Sequence, residues 1–208
     1  MFEEIIKYEH INYESTIAVW ASTIIWTCFY NFVRYLLPDI PFTHPEWKTN
    51  YTQSFLMVFS LGYFIYDLIW MYLFELQQEK LMITHHIYCI VALFKMLFKG
   101  TSGAQATCAL GSMEITNPFL QYRWFIRSEG MYPSALHSAM ETTFYIIFFL
   151  VRIVLGSYYM VVILRQEHND VDFIFLALAI YVISWMFQIN IIKCILVKYG
   201  FVEKIKYN

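Results

Sequence analysis

The chain has 208 residues, of which 59% are hydrophobic and only 14% charged, and aromatic side chains make up 20% of it. Its mean hydropathy of +0.49 is too apolar for a core wrapped in a solvated shell, so water is not its principal solvent. A net charge of −2 argues against polyanion binding, and no nucleic-acid role is expected.

Met1 to Glu14 is polar and carries both signs of charge, unlike the basic start of a secretory signal, so the apolar run 15–37 is expected to be a retained anchor. A helix needs roughly 20 mostly apolar residues to cross a bilayer core. That ruler marks further runs at 53–76, 80–98, 137–164 and 172–197. A sixth candidate, 102–123, holds Gln105, Glu114, Asn117 and Pro118, yet Gly103, Thr107 and Gly111 recur every fourth residue, a spacing that suits close helix packing. A re-entrant segment enclosed by protein is the alternative for this stretch. The expected fold is an all-α polytopic transmembrane bundle of about six spans. No linker, repeat or low-complexity tract divides 1–208, so it reads as one domain. Cys28, Cys89, Cys108 and Cys194 lie in apolar runs without metal-ligand or disulfide spacing and read as packing residues.

With six spans, both termini share one side with the loops near 77 and 128. That side carries Lys7, Lys80, Arg123, Arg127, Lys193, Lys198, Lys204 and Lys206, against Arg34, Lys48, Lys95, Lys99 and Arg165 opposite. The positive-inside bias therefore puts both termini in the cytosol. The tail Lys204-Ile205-Lys206-Tyr207-Asn208 has the form of a dilysine retrieval signal to the endoplasmic reticulum, or else is a basic flank after the last span. Asn50-Tyr51-Thr52 is a glycosylation sequon set close against the second span, and is expected to be unused.

Ionisable groups inside spans are costly and each calls for a partner. Folding 53–76 and 80–98 as an antiparallel pair about residue 77 sets Asp67 level with Tyr88, within a turn of His85. Glu114 precedes Arg123 by a helical rise of about 13 Å, with Asn117 one turn shallower. Glu141, Gln188 and Asn190 fall in the same half, so five helices contribute to one polar belt. Helical spacing groups Tyr63, Asp67 and Trp70; Glu114, Asn117 and Gln121; and His137, Glu141, Tyr145 and Arg152. His85 and His86 are about 100° apart in helix phase, and His85, which shares a face with Tyr88 and Cys89, is the better candidate to face a cavity. An imidazole beside a carboxylate can act as a general base or accept an acyl group. The alternative is a network that satisfies its own polar groups and fixes the register of the bundle. Without local ligand spacing, no metal site is expected.

The stretches Leu61-Gly62-Tyr63-Phe64-Ile65-Tyr66-Asp67-Leu68, Leu81-Met82 followed by His85-His86, and Glu114-Ile115-Thr116-Asn117-Pro118 with Gln121 and Arg123-Trp124-Phe125-Ile126-Arg127 resemble the TRAM/LAG1/CLN8 (TLC) domain, in order from about 38 to 156. Pro41-Phe42-Thr43-His44-Pro45 is similar to one of its subfamilies. The resemblance implies a lipid-handling membrane bundle. The family includes ceramide synthases, which transfer an acyl chain from acyl-CoA to a sphingoid amine and carry essential paired histidines where this chain has His85 and His86. Their downstream His-Asp motif is replaced here by Ser112-Met113-Glu114-Ile115-Thr116-Asn117.

The resemblance thus suggests a role in lipid homeostasis, with lipid bound or processed in an intramembrane cavity. As an enzyme, the protein is expected to be a lipid acyltransferase using acyl-CoA as co-substrate and no resident cofactor. His85 or His86 would be base or acyl carrier, Asp67 the orienter, Glu114 a secondary acid, and Asn117 would hold the reacting carbonyl. A non-catalytic lipid sensor or regulator of membrane composition is the second reading, and a proton-coupled transporter, for which no inverted halves are visible, the third. Membrane lipids are the expected partners.

Overall fold

The computed structural model describes residues 48–74, 80–166 and 169–200. The expected span 15–37 and both chain ends lie outside the described residues. In chain order the helices are α1 Tyr51–Phe74, α2 Lys80–Lys99, α3 Gly103–Glu114, α4 Asn117–Ser128, α5 Ala135–Phe148, α6 Gly156–Arg165 and α7 Val171–Lys198, with a π-helical segment, Phe149–Leu155, joining α5 to α6 without a break. Among the described residues the only β-type pairing is one isolated bridge, Lys48 to Thr101.

Among the described residues, four helices are long and apolar enough to cross a membrane: Tyr51–Leu73, Lys80–Lys99, Ala135–Arg165 and Val171–Lys198. Side-chain placement supports that reading. Phe55, Phe59, Phe98, Leu150, Val154 and Phe175 face outward, while Gln53, His85, His86, Gln105, His137, Glu141, Arg152 and Gln188 are buried. Such an arrangement would be costly in water but suits lipid, where the exterior needs no polar group and the interior must satisfy its own. The protein is a multi-pass, all-helical membrane protein.

The segment 102–123 is not one continuous helix. It is divided into α3 and α4 by a turn at Ile115–Thr116, and each half has 12 residues. Twelve residues span about 18 Å, short of a hydrocarbon core of about 30 Å. Pro118, in the first turn of α4, lacks the amide hydrogen that would have continued the α3 ladder.

By their internal contacts the described residues form two units, one of residues 110–148 and one of those in 48–109 and 149–200. In the first, α4 packs on α5. In the second, α1 packs on α2, α2 on α7, and α7 on both the π segment and α6.

Two local devices set the register of α1 against α2. Asn50 and Gln53 form a reciprocal cap: the Gln53 amide N–H donates to Asn50 Oδ1 at 2.8 Å, and the Asn50 N–H donates to Gln53 Oε1 at 3.0 Å. The sequon asparagine is thus the first residue of a helix cap and has a structural task. At the far end of α2, Gly100 takes φ +68°, closing the helix with its N–H on Met96 O at 3.0 Å, and its carbonyl accepts the Thr49 N–H at 2.9 Å. Gly103, just beyond, lies flush against this junction: a Cβ there would fall 2.4 Å from Thr49 Cγ2 and 2.7 Å from Gln53 Oε1.

Gly103→Ala is expected to destabilise the protein by about 1–3 kcal/mol through overpacking. Gly62→Ala, where nothing lies within 4 Å, should instead be neutral or stabilise α1 by up to about 1 kcal/mol. Unfolding of both variants in one detergent tests the contrast. Equal effects would mean that Gly103 does not mediate a close approach.

Candidate functional site

The second unit brings three of the residues singled out in the sequence into direct contact. His86, one turn beyond Met82 on α2, directs Nδ1 at the Met82 carbonyl at 2.9 Å. Its Nε2 lies 2.7 Å from Asp67 Oδ2 on α1. Asp67 therefore meets His86, the neighbour of the histidine favoured by helix phase. The His86 side chain is almost fully buried, whereas Asp67 retains about a third of its exposure (32%).

Both ring nitrogens of His86 face oxygen acceptors, which constrains the proton count. A neutral imidazole has one N–H and cannot donate to both. Either His86 is an imidazolium paired with the Asp67 carboxylate, or the imidazole is neutral and Asp67 holds the proton. Each arrangement places one proton on the contact and leaves the pair with no net charge, the state least costly to bury at membrane depth. In each, both His86 nitrogens are engaged, so the ring has no nitrogen free to take a proton from a third molecule.

His85 is differently placed. Its ring packs edge-on against Phe64 of α1, His86 and Phe187 of α7, with centroids 6.4, 5.5 and 5.9 Å away. Among the described residues, the only polar atom near its nitrogens is Cys89 Sγ, 3.8 Å from Nδ1 and 3.7 Å from Nε2. A sulfur equidistant from both nitrogens is in line with neither, so the contact is weak and neither nitrogen is committed to it. Arg152, buried in the π segment, acts electrostatically on His85. Gln188, the neighbour of Phe187, is buried with its Oε1 lacking a hydrogen-bond partner. Thus α1 and α7 wall one imidazole of α2 with aromatic rings, and the π segment adds a charge that acts on it. π-helical turns within α-helices frequently occur at functional sites.

Glu114, Asn117, Glu141 and His137 belong to the first unit. Glu114 and Asn117 bond to each other across the α3–α4 turn, carboxylate to amide. Glu141, grouped in the sequence with Arg152 by helical spacing, pairs with Arg123: Nε to Oε1 is 3.3 Å. His137 packs its ring on Tyr132, centroids 4.7 Å apart, and its backbone N–H donates to Ser134 Oγ at 3.1 Å. Among the described residues there is no group of three His, Cys, Asp or Glu side chains able to hold a metal. Sequence reasoning did not identify the roles of Phe64 and Phe187 as walls, because an aromatic residue in an apolar span carries no distinguishing signal.

A family model described as the TLC domain, TRAM/LAG1/CLN8, matches residues 11–199. The chain belongs to this family. No solved structure matches it.

Removing either partner of the Asp67–His86 pair leaves the other uncompensated. Asp67→Leu and His86→Leu are each expected to cost about 1–3 kcal/mol. The double variant should cost less than their sum by about 1–2 kcal/mol. Denaturant unfolding of all four proteins in micelles gives this coupling energy directly, and strict additivity would show that the contact is not formed.

Proposed function

We propose that this TLC-domain protein processes lipid within the membrane by acyl transfer, with His85 as the base and the His86–Asp67 pair as its support. The observation that carries the proposal is the division between the two histidines: His86 is hydrogen-bonded at both nitrogens, while His85, buried among aromatic rings, has among the described residues only a thiol sulfur near its nitrogens. In the proposed step His85 takes the proton from the amine or hydroxyl of an acceptor lipid as that nitrogen or oxygen attacks the carbonyl of an acyl thioester. Collapse of the tetrahedral intermediate breaks the C–S bond, and His85 returns its proton to the departing thiolate. The co-substrate is acyl-CoA. Glu114 and Asn117 belong to the other unit and bond to each other, so no step is assigned to them.

A specific observation also favours a second reading. The same pair that frees His85 ties α1 to α2, which is the function a polar contact would have in a lipid-binding regulator of membrane composition without turnover. In both readings the protein contributes to lipid homeostasis. Localisation to the endoplasmic reticulum with cytosolic termini is part of the proposal; in a six-span arrangement the uneven distribution of cations between the two sides supports the cytosolic termini.

Lipid analysis of cells lacking the protein, complemented at matched abundance and location, separates the two readings. Wild type should restore the altered lipid class, and His85→Ala should fail. Complete restoration by His85→Ala would remove histidine chemistry and leave the binding role.

A further inference from the structure

Two polar side chains of α7, Gln188 and Asn190, are separated by about 200° of helix phase and face opposite ways. Gln188 is buried with Ile183 and Ser184, whereas Asn190 is exposed. Among the described residues the Asn190 side-chain amide makes no hydrogen bond; Cys194 Sγ, at 2.8 Å, donates to its backbone carbonyl. The helix remains apolar past it through Ile195, Leu196 and Val197, broken by Lys193, whose long stem can carry its charge out to the headgroups. Asn190 lies about 12 Å of helical rise before Lys198, where α7 ends, and its short side chain cannot cover that distance. An apolar run longer than the hydrocarbon core tilts to stay within it. The amide therefore faces lipid, which offers it neither donor nor acceptor.

The form of the missing partner follows from the amide itself. It carries two hydrogens and one acceptor oxygen, so a group with only donors or only acceptors satisfies half of it. A second amide satisfies both, each Nδ2 donating to the other's Oδ1 across a two-fold axis. The partner must also present its amide at the same depth. A second copy of this chain does so without further matching, because rotation about an axis along the membrane normal leaves depth unchanged. The face around Asn190 suits helix-to-helix contact. Val182, Trp185, Met186 and Ile189, on adjoining turns, are each at least 40% exposed. Only 17% of the apolar stretch of α7 is buried, against 28–39% in the other three spans. Lys193, one turn on, would stand near its counterpart, and its stem lets the two charges part into the headgroups.

We infer that the chain forms a two-fold symmetric dimer in the membrane through the outer face of α7, with the Asn190 amides of the two copies hydrogen-bonded to each other. Interhelical bonds of this kind, with close apolar packing, drive helix association where lipid supplies no hydrophobic force. Ile183, Ser184 and Gln188 stay turned inward in such a dimer. The inference does not depend on acyl transfer.

The test reconstitutes the full chain, carrying one fluorophore per copy, in phosphatidylcholine liposomes over a range of protein-to-lipid ratios, and counts copies by single-molecule photobleaching. The expected result is a population of dimers that grows with density and stops at two copies. Asn190→Leu should weaken association about five- to thirtyfold, while Asn190→Gln, which keeps an amide, should retain most of it. Exchanging an outward polar group for an apolar one leaves the fold intact, which an unchanged Tm of Asn190→Leu would verify. Oxidative cross-linking then locates the contact: Met186→Cys should give linked dimers above the level of the native chain, and Val58→Cys, on the exposed face of α1, should not. A chain that stays monomeric at every density would overturn the inference and point to a segment of the same chain as the cover of this face. So would a dimer that Asn190→Leu leaves as stable as wild type, one that Asn190→Gln weakens equally, or cross-linking at Val58→Cys in place of Met186→Cys.

Discussion

Hydrocarbon cannot hydrogen-bond, and most of this architecture follows from that constraint. A side chain such as Asp67 or His86 placed within a span must find its partner inside the protein or be expelled toward an interface. The 2.7 Å contact between them meets the requirement, and its position, near the end of α1 and the start of α2, helps fix how far the two helices slide along one another. At the other end of the same pair, the Asn50–Gln53 cap and the Thr49–Gly100 hydrogen bond complete the register. The apolar surface between these points is left to lipid.

The same constraint separates the two histidines. Adjacent residues on a helix cannot share a face, so the pair supplies two different environments from one dipeptide. His86 is held by its own helix through Met82 O and by α1 through Asp67, which fixes its ring and consumes its donors. His85 turns to Phe64, Phe187 and Cys89. A ring confined by hydrophobic walls keeps its orientation without a strong hydrogen bond, which is the condition a base needs if it is to exchange protons with a bound molecule.

Much of this was legible in the sequence, and what was not has physical reasons. Runs of apolar residues of the required length located α1, α2, the α5–α6 helix and α7, because hydropathy over twenty residues averages out local detail. Depth arithmetic placed Asp67 within a turn of the histidines, since helical rise is nearly constant. It could not choose between His85 and His86: that choice depends on the azimuth of two helices about their axes, which the packing of Phe64 and Phe187 decides. The division between α3 and α4 was foreshadowed by Pro118 and the polar residues around it, but a proline can kink a helix as well as end one. The pairing of Glu141 with Arg123 instead of Arg152 required knowing that α4 packs on α5, a tertiary fact with no local signature.

The central claim is that His86 and Asp67 jointly hold one proton while His85 keeps a ring nitrogen free to accept one. Nitrogen-15 spectra of the histidine-labelled protein in bicelles test it most directly, with each ring assigned by single substitution. The account predicts that His86 shows a protonated Nδ1 and an Nε2 that is protonated or strongly hydrogen-bonded and shifts in Asp67→Asn, while His85 shows one unprotonated nitrogen that hardly responds. A His86 ring with a free, unbonded Nε2, or an Asp67→Asn variant that leaves its signals in place, would contradict the pairing and with it the division of roles between the two histidines.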